Sequence, residues 1–193
     1  LPRLFKMPPD ALLDRLLDQV SAETCTAASQ ADAMHVLRTA KARAALLIAF
    51  ADLAGVWSVA DVTDALTRFA DACLSGCVGW YLTDAAAKDK FQLADPERPE
   101  RNCGIAVIAM GKYGAGELNY SSDIDITVFF ERGRVPVGDG LEVQQFCIKL
   151  TRALVKMMQE PTADGYVFRT DLRLRPDAGA TAVALSMDAA EQY

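Results

Sequence analysis

Asp123 and Asp125 stand one residue apart in a stretch that reads Ser-Ser-Asp-Ile-Asp-Ile, a few positions after Gly111, Gly114 and Gly116. On a strand, positions i and i+2 send their side chains to the same face, about 6.6–6.8 Å apart along the chain. Two carboxylates so placed can converge on one Mg²⁺, or on two ions about 3.5–4 Å apart that clamp an in-line displacement. No histidine is near them, and hard oxygen donors favour Mg²⁺ or Mn²⁺ over zinc. The plainer alternative is two solvated acids on an exposed strand face.

Two neighbouring segments bear on that choice. Glycine lets backbone N–H groups approach an anion closely, and Lys112 adds a positive charge beside Gly111 and Gly114. The order GxxGxG matches neither the P-loop nor the dinucleotide fingerprint, so a tight turn remains the alternative. Downstream, the run Phe168-Arg-Thr-Asp-Leu-Arg-Leu-Arg-Pro176 reads as a strand. It would place Arg169, Asp171, Arg173 and Arg175 on one face and Phe168, Thr170, Leu172 and Leu174 on the other. Charges cannot be buried unpaired, so that face must meet solvent, partners or a ligand. Asp171 could complete a triad with the two acids, beside arginines shaped to grip phosphate. A salt-bridge lattice would account for the same pattern.

The elements that must hold these residues can be read from periodicity. Residues 10–20 and 29–54 carry apolar side chains at helical spacing. Ser58-Val-Ala-Asp61 has the form of a capping box opening a third helix, with Val62, Leu66, Phe69, Cys73, Cys77 and Tyr81 on one face. A charged, proline-bearing stretch, 95–101, suits an exposed connection. The division expected is a helical region over 1–98 and an α/β catalytic core over 99–193. In that second part Gly104–Met110 reads as a fully buried strand and 124–130 as a strand with two distinct faces. Residues 141–158 read as a helix with Val143, Phe146, Leu150, Leu154 and Met157 inward. Strands are expected at 166–174 and 182–185. The fold class expected is α+β.

Composition narrows the setting. The chain has 193 residues, 51% of them hydrophobic and 24% charged, as ordinary globular chains do. A net charge of −6 leaves no broad basic footprint for duplex nucleic acid. Five cysteines without a CxxC pair suggest reduced thiols in a cytoplasmic protein. No apolar run reaches the roughly 18 residues needed to span a bilayer. The single histidine, His35, lies among Met34, Val36 and Leu37 and is expected to be packed or on the surface, not a ligand. A chain that opens on Leu1 is expected to be a piece of something longer.

Taken together, Gly-Lys-x-Gly, Glu-Leu-x-x-x-Ser-Asp-x-Asp and x-Asp-x-Arg-Leu-Arg-Pro resemble the glutamine synthetase adenylyltransferase/adenylyl-removing enzymes. These are two-headed members of the polymerase-β-like nucleotidyltransferase superfamily. The likeness is strong over about residues 103–188 and general before that. Asn119, Ser121 and Ile124, then Ala163–Arg169 and Leu172, resemble the amino-terminal, adenylyl-removing head. Tyr113, Ala115-Gly116 and the residues after Pro176 depart from the family pattern.

The resemblance implies a polymerase-β-like mixed sheet with flanking helices. It implies Asp123, Asp125 and Asp171 as catalytic acids and ligands of Mg²⁺ or Mn²⁺. Gly111, Lys112, Gly114, Ser121, Ser122, Arg169, Arg173 and Arg175 would contact nucleotide or phosphate. The reaction implied is phosphorolysis of an adenylyl-tyrosine on glutamine synthetase, releasing ADP. The partners implied are glutamine synthetase, phosphate, ADP or ATP and, through the full-length protein, the PII signal protein. Nucleic acid and membrane are not among them. Adenylyl transfer from ATP and an idle nucleotidyltransferase-like binding module are the rival readings.

Overall fold

The computed structural model describes residues 7–174, 179 and 181–191. Three helices come first: α1 (Pro9–Cys25), α2 (Gln30–Leu53) and α3 (Val59–Ala86). Each of the latter two opens where a serine can replace a missing helical acceptor. The Ser29 side chain accepts from the Asp32 N–H, and Ser58 and Asp61 form a reciprocal capping box. Helix α3 buries Val62, Leu66, Phe69, Cys73 and Cys77, as its periodicity predicts, and packs against α1, α2 and α5 (Val143–Gln159).

The sheet is small and mixed. Its centre is β2 (Ile124–Phe130), antiparallel to β1 (Ile105–Met110) along one edge. Along the other edge β2 runs parallel to β3 (Thr170–Asp171) near its start and to β4 (Ala184–Ser186) near its end. A short helix, α4 (Gly111–Gly114), leaves β1, and another, α6 (Met187–Ala190), follows β4. Ile124, Ile126, Val128 and Phe130 face a hydrophobic core that runs without a break from the three helices into α5 and the sheet. The fold is α+β. All five cysteines are unpaired thiols, four of them buried. Among the described residues no helix is long and apolar enough to cross a membrane.

Two strands differ from expectation. The apolar run of β1 is not buried on both faces: it forms the sheet's edge, and Ala106 and Ile108 are exposed on the face away from α3. An unbroken apolar run reports hydrophobicity, not whether a second layer covers it. The strand expected over 166–174 shrinks to Thr170–Asp171. Before it, the Val167 and Phe168 N–H groups both donate to the Met158 carbonyl, at 2.9 and 3.1 Å, so the chain wraps the end of α5 instead of joining the sheet. After it, the Asp171 carboxylate accepts from the Arg173 backbone N–H at 2.8 Å and turns the chain out of the extended form.

Candidate active site

The register of the sheet gathers the three acids. In β2, Asp125 is directly opposite Met110 of β1 and beside Asp171 of β3. Parallel neighbours in register project to one face about 4.8 Å apart, so Asp125 and Asp171 stand side by side. Asp123, two residues earlier, shares their face. The ionisation of Asp125 registers that crowding. Its carboxyl is raised above the ordinary aspartate value, first by partial burial and then by the charges of Asp171 and Asp123.

The turn below the acids is shaped by glycine. Gly111 has φ +55°, and a Cβ placed there would lie 2.8 Å from the Asp125 Oδ2. What the bare backbone at Gly111 admits is thus the carboxylate itself. At Gly114 a Cβ would meet the Ala109 carbonyl oxygen at 2.5 Å, so this turn can fold back on β1 only without a side chain. Tyr113, between them, is buried and donates to Asp71 of α3 at 2.5 Å. Further anchors are Leu118 N–H to Thr67 Oγ1 (3.4 Å) and Tyr120 OH to Asp52 of α2 (2.9 Å). The helical region therefore holds the glycine segment at three points.

Asn119 organises the approach to the acids. Its Oδ1 accepts from the Ser122 hydroxyl at 2.8 Å and the Ser121 N–H at 3.3 Å, an Asx turn that delivers the chain into β2. Ser121 and Lys112 are exposed and Ser122 is half-buried.

The arginines reach the acids by a different route from the one their alternation implies. Arg169 Nε donates to Asp123 Oδ1 at 2.5 Å, and its Nη2 to the Ser121 carbonyl at 3.2 Å. Arg173, in the turn after β3, grips both oxygens of Asp171 through Nε (3.0 and 2.8 Å) and Oδ2 again through Nη2 (2.5 Å). Its guanidinium is held protonated still more firmly than usual, chiefly by those bonds and by the Asp171 charge, with Asp123 and Asp125 adding to it. Arg175 lies outside the described residues.

Does this arrangement fit a divalent metal? The donors do: three carboxylates on one sheet face, one of them raised by partial burial and then by the other two, supply the hard oxygens that Mg²⁺ or Mn²⁺ takes. Among the described residues, no three histidine, cysteine or acidic side chains are already drawn into a cage. Asp123 and Asp171 turn instead to Arg169 and Arg173. Carboxylates that repel one another pair with the nearest cations, and a bound metal ion would compete with those guanidiniums.

His35 is exposed on α2, and its Nδ1 lies 2.8 Å from the Asp164 Oδ2. An exposed pair of this kind contributes at most about 1 kcal/mol. His35→Gln is accordingly expected to leave both metal binding at the acids and turnover within about threefold, checked by Mn²⁺ titration and initial rates. A complete loss in a folded protein would place the site elsewhere.

The sequence reading missed Arg38. It sits 2% exposed on α2 and donates to four backbone carbonyls, two of them at the end of α5 and one in the turn at Gly165. A signal was available: Arg38 lies one turn from Met34 and beside Leu37, a charged residue inside an apolar stripe.

Comparison with known proteins finds relatives that match along almost the whole chain. The family model described as glutamate-ammonia ligase adenylyltransferase matches residues 6–193. The chain is 46% identical to a bifunctional glutamine synthetase adenylyltransferase/adenylyl-removing enzyme of Bradyrhizobium sp. (strain ORS 278), over 100% of the chain and 20% of that protein. It is 48% identical to the protein of that name in Xanthobacter autotrophicus, over 99% of the chain and 19% of the relative. The Brucella suis protein of that name is 44% identical over 100% of the chain and 20% of its own length. The chain thus spans about a fifth of the length of the curated relatives it matches.

Proposed function

The chain belongs to the glutamate-ammonia ligase adenylyltransferase family, and from that premise we propose that it is a nucleotidyltransferase that removes adenylyl groups from glutamine synthetase by phosphorolysis. The observation that carries the reading is the register that sets Asp125 beside Asp171, with Arg173 bound to Asp171 and Arg169 to Asp123. In the reaction an oxygen of inorganic phosphate attacks the phosphorus of the adenylyl-tyrosine. A new P–O bond makes ADP, the bond to the tyrosine oxygen breaks, and the phenolate takes up a proton. Both reactants are anions, so their approach needs fixed positive charge.

Arg169 and Arg173 supply that charge from this chain's own residues. Each guanidinium can hold a phosphate oxygen pair in a planar fork, and each already stands at the acids. Asp123, Asp125 and Asp171 would hold Mg²⁺ or Mn²⁺, which when bound neutralises charge developing at phosphorus. Gly111 leaves room for the Asp125 carboxylate, and Lys112, Gly114, Ser121 and Ser122 would contact nucleotide or phosphate from the adjoining turns. No nucleophilic side chain is required.

The direction, removal and not transfer, is supported by the likeness of Asn119–Asp125 and Ala163–Arg169 to the adenylyl-removing head. In this reading the protein acts in the cytoplasm on glutamine synthetase, with the PII signal protein acting through the full polypeptide. Incubation with adenylylated glutamine synthetase, Mg²⁺ and phosphate is expected to release ADP. Labelling of unmodified glutamine synthetase from ATP, without phosphate-dependent ADP release, would reverse the assignment.

Arg173 gives a sharper test. Truncation to alanine removes a fork from beside Asp171 without touching the sheet. The phosphate concentration for half-maximal rate is expected to rise by about tenfold or more, with the KM for the adenylylated protein changed far less. Phosphate dependence equal to that of the unaltered protein would leave Arg173 as a charge partner of Asp171 and nothing more.

A further inference from the structure

The third acid reaches the site at the end of a segment that the sheet itself barely holds. β3 has only two residues, and the chain on either side of it leaves the sheet. Among the described residues, a set of contacts that fixes its position lies before it. The end of α5 is the obvious anchor, because the last carbonyls of a helix have no partners within it.

Three of the backbone carbonyls there, and one side chain, hold the crossing segment or Arg38. The Met158 carbonyl accepts from the Val167 and Phe168 N–H groups, and the Gln159 side chain accepts from the Thr170 N–H at 3.1 Å. The Met157 and Glu160 carbonyls accept from Arg38, at 3.1 and 2.5 Å. The same guanidinium donates through Nε to the Gly165 carbonyl at 2.8 Å, and through Nη1 to Met34 of its own helix at 2.9 Å. Arg38 therefore ties three pieces together: α2, the C-terminus of α5, and the turn six residues before Asp171. Its cationic head also sits where a helix C-terminus favours positive charge.

We propose that Arg38 is a positioning residue for the site: it sets where the 162–171 segment crosses the end of α5, and thereby holds Asp171 level with Asp125. The arginine fork matters as much as its charge, since no other side chain can donate to four carbonyls around one planar group. The helical region then positions the third acid as well as the glycine segment. The metal arm of the test rests on the reading of the three acids given above, and the backbone arm does not.

The test compares Arg38→Met and Arg38→Lys with Leu13→Ala, a core truncation on α1 remote from α5 that lowers overall stability. Two quantities are measured in each folded protein: Mn²⁺ affinity by titration, and native-state amide exchange across 162–171. Arg38→Met is expected to weaken Mn²⁺ binding by about tenfold or more, the loss typical when a ligand's supporting contacts go. Exchange at Thr170 and Asp171 should quicken by a similar factor, about tenfold. Leu13→Ala, at matched melting temperature, should leave both near the unaltered protein.

If Arg38→Met does not fold, Arg38→Lys carries the comparison, because it keeps charge and stem but loses the fork. Exchange and Mn²⁺ affinity equal to those of the Leu13→Ala control would overturn the proposal. Should the unaltered protein bind no Mn²⁺, the metal reading fails and the exchange arm alone decides the role of Arg38.

Discussion

Asp125→Asn is expected to lower turnover by about a thousandfold or more while raising, not lowering, the melting temperature. The two effects have one cause. Partial burial and the charges of Asp171 and Asp123 hold the Asp125 carboxyl above 3.8, so the folded protein binds that proton more tightly than the unfolded chain does. Stability from this group is therefore lost as pH rises from the ordinary aspartate value through the raised one. At neutral pH the ionised carboxylate works against the fold. The amide keeps the shape and removes the repulsion, but it also removes a ligand charge from the proposed metal site. Steady-state rates with adenylylated glutamine synthetase and a thermal melt at pH 7 check both halves. Near-normal rates in the folded variant would sink the metal assignment.

The raised carboxyl also predicts a pH effect in the unaltered protein. As pH falls, Asp125 takes up its proton before a free aspartate would, so Mn²⁺ affinity should weaken while the overall fold still stands. Titrations at several pH values, paired with melts, separate the two.

Gly111→Ala is expected to cost about 1–2 kcal/mol of stability, because an L-residue is strained at φ +55°. Its effect on catalysis should be far larger, about a hundredfold. The added methyl would lie 2.8 Å from the Asp125 Oδ2, the end of a side chain that can move. The backbone survives because the carboxylate yields, and the carboxylate that yields is the one in the centre of the triad. Comparing the loss in rate with the loss in melting temperature tests this. Proportionate losses would mean that Gly111 serves the turn alone.

Some of this is legible in the residue order alone. The serine cap at Ser58 forms because a short side-chain acceptor must stand where the helix has none, a local rule that holds without tertiary context. The two faces of β2 follow from the period-two recurrence of Ile124, Ile126, Val128 and Phe130, although Thr127 is buried as well. So does the shared face of Asp123 and Asp125. The breadth of exposure of β1 was not legible, since Ile108 is as apolar as a buried residue and only the lack of a covering layer leaves it 42% exposed.

The arginine segment shows the boundary most clearly. Alternation alone placed Arg169, Asp171 and Arg173 in a row on one long strand. In the fold, Met158 captures two of the segment's N–H groups and the Asp171 side chain captures a third, so a strand forms at only two residues. The two arginines still meet the acids, through a turn and not a row.

By itself, then, the order of residues determined which groups could do chemistry here and which lay on common faces, because alternation and capping depend on near neighbours. Only the tertiary structure decided that Asp171 stands beside Asp125, that Gly111 is bare to admit a carboxylate, and that a buried Arg38 far back on α2 spans the end of α5. The first and third join segments tens of residues or more apart through backbone groups that every residue type presents alike, and the second depends on how the turn after β1 meets β2, so they leave little trace in the sequence.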